Sequence, residues 1–158
     1  MKPRRRNFFV NIYRKARISF LKIYYARGSV HEIALGAGIG AFLGVFPTFG
    51  LSTIISLLLY KLFRFNLVAA ISGAFISNPL TSPFLLMISY QVGAFIIPTD
   101  IQFDLDNWFR DLPQIGLVLF TGATLVSLVA GLAVYFLVRF AIERRRRIAA
   151  AAVAAEKP

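Results

Sequence analysis

Two polar interruptions inside long apolar runs hold most of the side chains that could bind a ligand. The first is Pro47-Thr48-Phe49-Gly50, and the second, NPLTSP, runs from Asn78 to Pro83. Proline cannot donate a hydrogen bond inside a helix and glycine accepts the backbone of a tight turn, so each interruption should break a helix. Backbone groups freed by a break need protein or a water-lined cavity beside them in a membrane. The candidate substrate or gating residues are therefore Pro47, Thr48, Gly50, Asn78, Pro79, Thr81 and Pro83.

Ionisable side chains are scarce beside these runs. His31 and Glu32 form an adjacent titratable pair at the edge of the apolar region, and a proton-relay or gating role is conceivable for them. Ser29 and Glu32 also have the spacing of a capping box, in which two residues satisfy each other's backbone amides at a helix start. We favour the capping interpretation. Apart from His31 no base accompanies the hydroxyls and amides of the apolar core, and the chain has no cysteine. We therefore predict no enzyme, no metal site and no cofactor.

The composition is that of a membrane protein. Of the 158 residues 58% are apolar, and the mean hydropathy is +0.68. The net charge of +11 comes from basic residues that flank apolar runs, with nine of them in residues 2–27. This placement is typical of cytoplasmic anchors and argues against nucleic acid as a partner. The expected partners are the lipid bilayer, with anionic headgroups at the basic termini, and either a second copy of the chain or an unidentified membrane protein.

The predicted fold is all-α. It consists of an N-terminal amphipathic interfacial helix, a re-entrant or broken helical hairpin, a second broken membrane helix and one regular C-terminal transmembrane helix. The corresponding segments are 1–28, basic and amphipathic; 29–97, the core with two broken apolar segments; 98–113, an acidic non-cytoplasmic loop; 114–148, the transmembrane helix with its cytoplasmic Arg cluster; and 149–158, a tail.

Helix length and charge position favour a re-entrant first run. Residues 34–46 and 51–63 contain thirteen residues each, or about 20 Å of helix where a span needs about 30 Å. If this run enters the membrane and returns, Lys61 stays cytoplasmic, as the positive-inside rule favours. Residues 66–97 then cross once and 115–138 cross back. Both termini are expected to be cytoplasmic in this multi-pass arrangement, although full spanning by residues 34–63 stays open.

Small residues at four-residue spacing predict close helix packing. Gly36, Gly40 and Gly44 form one stripe, and Gly73 and Gly131 lie on others. Moreover, GAFLG from Gly40 aligns with GAFIS from Gly73 at an offset of 33 residues, and a proline follows each within three residues. A small internal duplication is therefore a working hypothesis.

The segment from His31 to Gly93 resembles the bacterial membrane family DUF2062. Gly40, Phe42, Pro47 and Gly50 match its pattern G-x-F followed by P-x-x-G, and Asn66, Asn78, Pro79, Leu80, Thr81 and Pro83 match its N-P-L-T-x-P pattern. The resemblance implies a small integral protein of the bacterial inner (cytoplasmic) membrane and no established activity.

Two functions remain open from the sequence. We favour a membrane scaffold or accessory component, in which the glycine stripes serve helix packing. The alternative is a small transporter or lipid-translocation protein with a substrate site at the two breaks. Helices that restart at mid-membrane would present amides suited to an anionic group.

Overall fold

The computed structural model describes residues 28–48, 50–98 and 108–155, together with residues 14, 17, 18 and 21. Beyond position 27, the described residues form five α-helices and a 3-10 turn, with no strand among them. The elements are α1 (Val30–Val45), α2 (Ser52–Leu62), α3 (Leu67–Gly73) followed by the 3-10 turn (Ala74–Ile76), α4 (Ser82–Ile96) and α5 (Trp108–Ala155). The predicted all-α class is confirmed. Most of the predicted interfacial helix of residues 1–28, and residues 99–107 of the predicted acidic loop, lie outside the described residues.

Helix α1 starts at the predicted capping box. The Glu32 amide donates to Ser29 Oγ at 3.1 Å, and the Ser29 amide donates to Glu32 Oε2 at 3.0 Å. The capping interpretation of Ser29 and Glu32 is therefore confirmed. Two amides that no intrahelical carbonyl could reach are satisfied in this way.

Helices α1 and α2 form a hairpin. The chain turns between Phe46 and Leu51, where Gly50 has a φ of +87° that favours glycine. Beyond α2 the Asn66 amide donates to the Glu32 carbonyl oxygen at 2.9 Å. The chain has therefore returned to the level at which α1 began.

Helix α3 runs parallel to α1 and in close contact with it. Three glycines of α1, Gly36, Gly40 and Gly44, face the backbone of Asn66, Ala70 and Ala74 in turn, so contacts advance in the same direction along both helices. Asn66 caps α3, because its Oδ1 accepts from the Ala69 amide at 2.9 Å.

Helix α5 runs antiparallel to both α1 and α4. His31 and Phe46, at the two ends of α1, contact Tyr135 and Phe120 of α5 in reverse order. Along α4, Ser89 faces Gly122 and Gly93 faces Val118. Helix α1 therefore packs mainly on the C-terminal half of α5, with Phe46 reaching Phe120, and α4 packs on the N-terminal half.

Helix α5 is longer than predicted. Its 48 described residues include Pro113 and the Arg144–Arg147 cluster, so the helix continues through the predicted segment boundaries after 113 and 148. The stretch Asp111–Ala152 is long and apolar enough to cross a membrane, judged by length and composition. The Arg139 guanidinium Nε lies 2.9 Å from Glu143 Oε1, one turn further along the helix.

Candidate functional site

The two helix breaks line a single cavity of about 410 Å³, which we call the break cavity. The first break contributes Pro47, Thr48 and Gly50, the second contributes Ser82, and Ser77 lies directly before the second break. The other lining residues belong to the adjoining helix ends, and they are Leu43, Gly44, Val45, Phe46, Ser52, Ala74, Leu85 and Leu86. The cavity is thus mostly apolar with a few hydroxyls, which is the usual make-up of a small-molecule site.

A second, smaller cavity adjoins the first. It measures about 190 Å³ and lies between α2 and α3, and we call it the hairpin cavity. Ser52, Ala74 and Ser77 line both cavities. The other lining residues of the hairpin cavity are Thr53, Ser56, Ile71 and Phe75. Ser77 therefore stands at the junction of the two spaces.

The first break is held by backbone and side-chain bonds of its own. The Leu51 amide donates to the Thr48 carbonyl at 2.9 Å, and the Thr48 hydroxyl donates to the Leu43 carbonyl at 3.5 Å. The latter bond is long and therefore weak. Pro47, Thr48 and Gly50, all predicted as site residues, face the break cavity.

The second break uses its most polar residues to shape the turn. Asn78 Oδ1 accepts from the amides of Leu80 and Thr81 at 3.0 and 3.2 Å. Thr81 Oγ1 accepts from the Asn78 amide at 3.0 Å and donates to the Ile76 carbonyl at 2.7 Å. Asn78, Pro79, Thr81 and Pro83 were predicted as site residues, but none of them lines either cavity. The polar side chains of Asn78 and Thr81 form hydrogen bonds with the backbone of the turn and do not face the cavities.

Helix α4 begins without a side-chain cap. Thr81 occupies the cap position and makes no side-chain cap bond, while Ser82 is the first residue of the helix. Ser82 instead donates through its hydroxyl to the Asn78 carbonyl at 2.8 Å. Its amide donates to the same carbonyl, also at 2.8 Å. This bonding fixes Ser82 Oγ beside the break cavity.

Ser77 and Ser82 form a hydroxyl pair at the cavity wall. Their oxygens are 3.1 Å apart. The Asn78 carbonyl can only accept, so the arrangement that uses both contacts has Ser82 donating to Asn78 and Ser77 donating to Ser82. Sequence reasoning did not select Ser52, Ser77 or Ser82 as site residues, because serine also suits helix packing and capping. The signal available was their position immediately beside the two breaks.

His31 and Glu32 do not join this site. They lie in the first turn of α1, and the break cavity lies at its last turn, about 20 Å away at 1.5 Å per residue. His31 Nδ1 is 3.1 Å from Tyr135 Oη, which also accepts from Arg139 at 3.3 Å. Arg146 in turn donates to the Gly28 carbonyl at 2.7 Å. These groups tie the start of α1 to the C-terminal half of α5.

Glycines allow the helices around the two breaks to approach each other closely. A methyl group at any of the predicted packing glycines would meet the backbone or Cβ of a neighbouring helix; these glycines are Gly36, Gly40, Gly44, Gly73 and Gly131. The same is true of Gly38, Gly93 and Gly122, which sequence reasoning missed. For Gly93 the signal was Ser89, a second small residue four positions earlier.

The described residues define a class: an all-α protein with one helix of membrane-spanning length among them and a cavity between two broken helices. The chain belongs to the family described as "Uncharacterized protein conserved in bacteria (DUF2062)", whose model matches residues 13–151. The match extends the resemblance predicted for His31 to Gly93 over most of the chain. Comparison with curated proteins and with solved structures found no similar protein.

Proposed function

We propose that this chain is an integral protein of the bacterial cytoplasmic membrane. Large apolar side chains cover the outside of the helices: Leu62 on α2, Phe95 on α4 and Leu137 on α5 are 74%, 91% and 69% exposed. Apolar surface of this extent is unfavourable in water and favourable against lipid. The stretch Asp111–Ala152, with its length and apolar composition, supports the same proposal.

The proposed topology is a re-entrant hairpin followed by two crossings. Helices α1 and α2 enter and leave on the cytoplasmic side, α3 and α4 cross, and α5 crosses back. The basic residues support this arrangement: Lys61 and Arg64 lie where the chain returns to the start of α1, and Arg146 bonds to Gly28 at that same end. Lys61, Arg64 and Arg146 therefore lie at the same end of the bundle, as basic residues of a cytoplasmic face do.

Within this membrane protein we propose a transport or lipid-translocation function. The observation that carries it is the single cavity shared by both breaks. Gly131 packs against Phe42 and Gly122 against Ser89, so the cavity lies beside the intervening part of α5. That part is the middle of the uncharged stretch 115–138. Broken helices that meet near the middle of the membrane are a recurring way to build a substrate site.

A scaffold or accessory role is the second candidate, and the exposure of α2 favours it. Helix α2 has one buried residue, Ser56. Most of the large apolar side chains of this helix are exposed. The exposed apolar side chains of α2 can contact another membrane protein as well as lipid. In this role the break cavity would have no substrate.

Reconstitution separates the two candidates. Proteoliposomes with the full chain should support lipid scrambling or solute flux, and Ser77→Leu should remove most of that activity by filling the cavity. Thr124→Leu is the matched control, because Thr124 is exposed on α5 and lines neither cavity. A parent protein that is inactive in scrambling and across a broad solute panel would refute the transport proposal and leave the scaffold role.

A further inference from the structure

Three of the four hydroxyl groups that line the break cavity, those of Thr48, Ser77 and Ser82, can direct their protons away from it. When both contacts form, the Ser82 proton is directed to the Asn78 carbonyl at 2.8 Å, and the Ser77 proton is directed to Ser82 at 3.1 Å. The Thr48 hydroxyl donates to the Leu43 carbonyl. A hydroxyl has one proton and two lone pairs, so Ser77 Oγ keeps its lone pairs for a donor that enters the cavity.

The described residues that line the break cavity carry no ionisable side chain. A charged ligand group would leave water there without a counter-charge, and that costs far more than burial of a neutral polar group that finds one hydrogen bond. Apolar walls formed by Leu43, Phe46, Leu85 and Leu86 suit the hydrocarbon part of a ligand.

We propose that the break cavity binds an uncharged amphiphile that carries a free hydroxyl group, of the kind represented by diacylglycerols and long-chain alcohols. The ligand hydroxyl donates to Ser77 Oγ, and the adjoining carbons lie against the apolar walls. This inference rests on the proposed function and names the ligand class for the same cavity. It replaces the expectation from sequence that the breaks favour an anionic group.

The size of the cavity fits the polar end of such a molecule. About 410 Å³ holds a headgroup and the first carbons of its chains. The rest of the chains can lie along α4, where Phe84 and Met87 are 61% and 54% exposed. The amides at the start of α2 are the feature that favours an anion instead, and for this reason a phosphorylated ligand is included in the test.

Photocrosslinking and competition test the proposal with three matched ligands. The full chain in nanodiscs is crosslinked with a diazirine-bearing diacylglycerol, and unlabelled ligands with identical acyl chains compete: diacylglycerol, its 3-O-methyl ether and phosphatidic acid. We expect crosslinks in residues 43–48 and 82–86. We also expect diacylglycerol to compete about three- to tenfold better than the ether, the equivalent of one neutral hydrogen bond, and better still than phosphatidic acid.

Variants of Ser77 test whether Ser77 Oγ causes the preference for diacylglycerol over its ether. Ser77→Ala should abolish the preference for diacylglycerol over the ether, whereas Ser77→Thr, which keeps an oxygen, should retain it. Thr124→Val should change nothing. Equal or better competition by phosphatidic acid, or a hydroxyl preference that survives in Ser77→Ala, would overturn the proposed ligand class while the site stands. Crosslinks that avoid both breaks with every probe would overturn the site itself.

Discussion

Gly40 and Gly73 pack against each other's helices in the same way. A methyl group at Gly40 would overlap the Ala70 carbonyl, and a methyl group at Gly73 would overlap the Ala37 carbonyl. Gly40 and Gly73 are 33 residues apart, as are Ala37 and Ala70. The 33-residue shift that aligns the two sequence segments therefore turns the contact of Gly40 with Ala70 into that of Gly73 with Ala37. This is expected for two copies of one unit that pack around an approximate two-fold axis. The second halves differ, because α2 folds back whereas α4 continues along α5.

This packing makes Gly40→Ala destabilising. The new methyl group meets backbone atoms of Ala70 that cannot move without separating α1 from α3, and we expect a loss of about 1–3 kcal/mol. Reversible unfolding in detergent measures it. Gly116→Ala is the control, since nothing lies within 4 Å of its Cβ position. It should be neutral or stabilise α5 by up to about 1 kcal/mol. Equal effects of the two variants would contradict the proposed role of close approach.

The capping box predicts that substitutions at Ser29 and Glu32 lower the free energy of unfolding in a coupled way. Ser29→Ala and Glu32→Ala should each lower the free energy of unfolding by about 1 kcal/mol, because each leaves a helix-start amide without its side-chain acceptor. The double variant should lose less than the two single losses added together, since the residues act as a pair. Strict additivity in a double-mutant cycle would argue against reciprocal capping.

These local features could be predicted from sequence because they depend on residues close together in the chain. The capping box needs only positions 29 and 32, and the breaks need only their own prolines and glycines. The partners could not be predicted: nothing in the sequence shows that Gly40 meets Ala70, or that Gly122 meets Ser89. Long-range contacts depend on which helix faces which stripe, and small residues suit many partners.

Of the predicted site residues, Pro47, Thr48 and Gly50 line the break cavity, whereas those of the second break do not. Asn78 looks the same in sequence whether its amide faces a ligand or its own turn. In the fold it accepts from two backbone amides within three residues, and the neighbouring serines face the cavity instead. Turn residues often bond to their own backbone in this way.

The structural role of Asn78 leads to a third prediction. Asn78→Ala leaves the Leu80 amide without its acceptor, while the Thr81 amide keeps the Asn78 carbonyl, and the change should cost about 1–3 kcal/mol of stability. Asn78→Asp keeps an acceptor oxygen and should cost less. Ser77→Ala should change ligand competition more than stability. A stable Asn78→Ala protein that has lost ligand binding would contradict the structural role of Asn78 and indicate a ligand-binding role instead.

The hydroxyl of Tyr135 should strengthen the contact between α1 and α5. Tyr135→Phe removes its bonds to His31 and Arg139 but keeps the ring, so we expect a loss of about 0.5–1.5 kcal/mol. Tyr60→Phe serves as the control, because Tyr60 lies on α2 and is 48% exposed. A larger loss in Tyr60→Phe than in Tyr135→Phe would contradict the assignment.

The most direct test asks whether the two breaks share one cavity. Since the chain has no cysteine, Thr48→Cys can be labelled by a small water-soluble thiol reagent in proteoliposomes, alone and combined with Ser77→Leu or Thr124→Leu. A side chain that fills the cavity from the second break should slow labelling at the first, whereas the change at Thr124 should not. Slower labelling with Ser77→Leu alone is the predicted result. Labelling of Thr48→Cys at the same rate in all three proteins would contradict a site shared by both breaks.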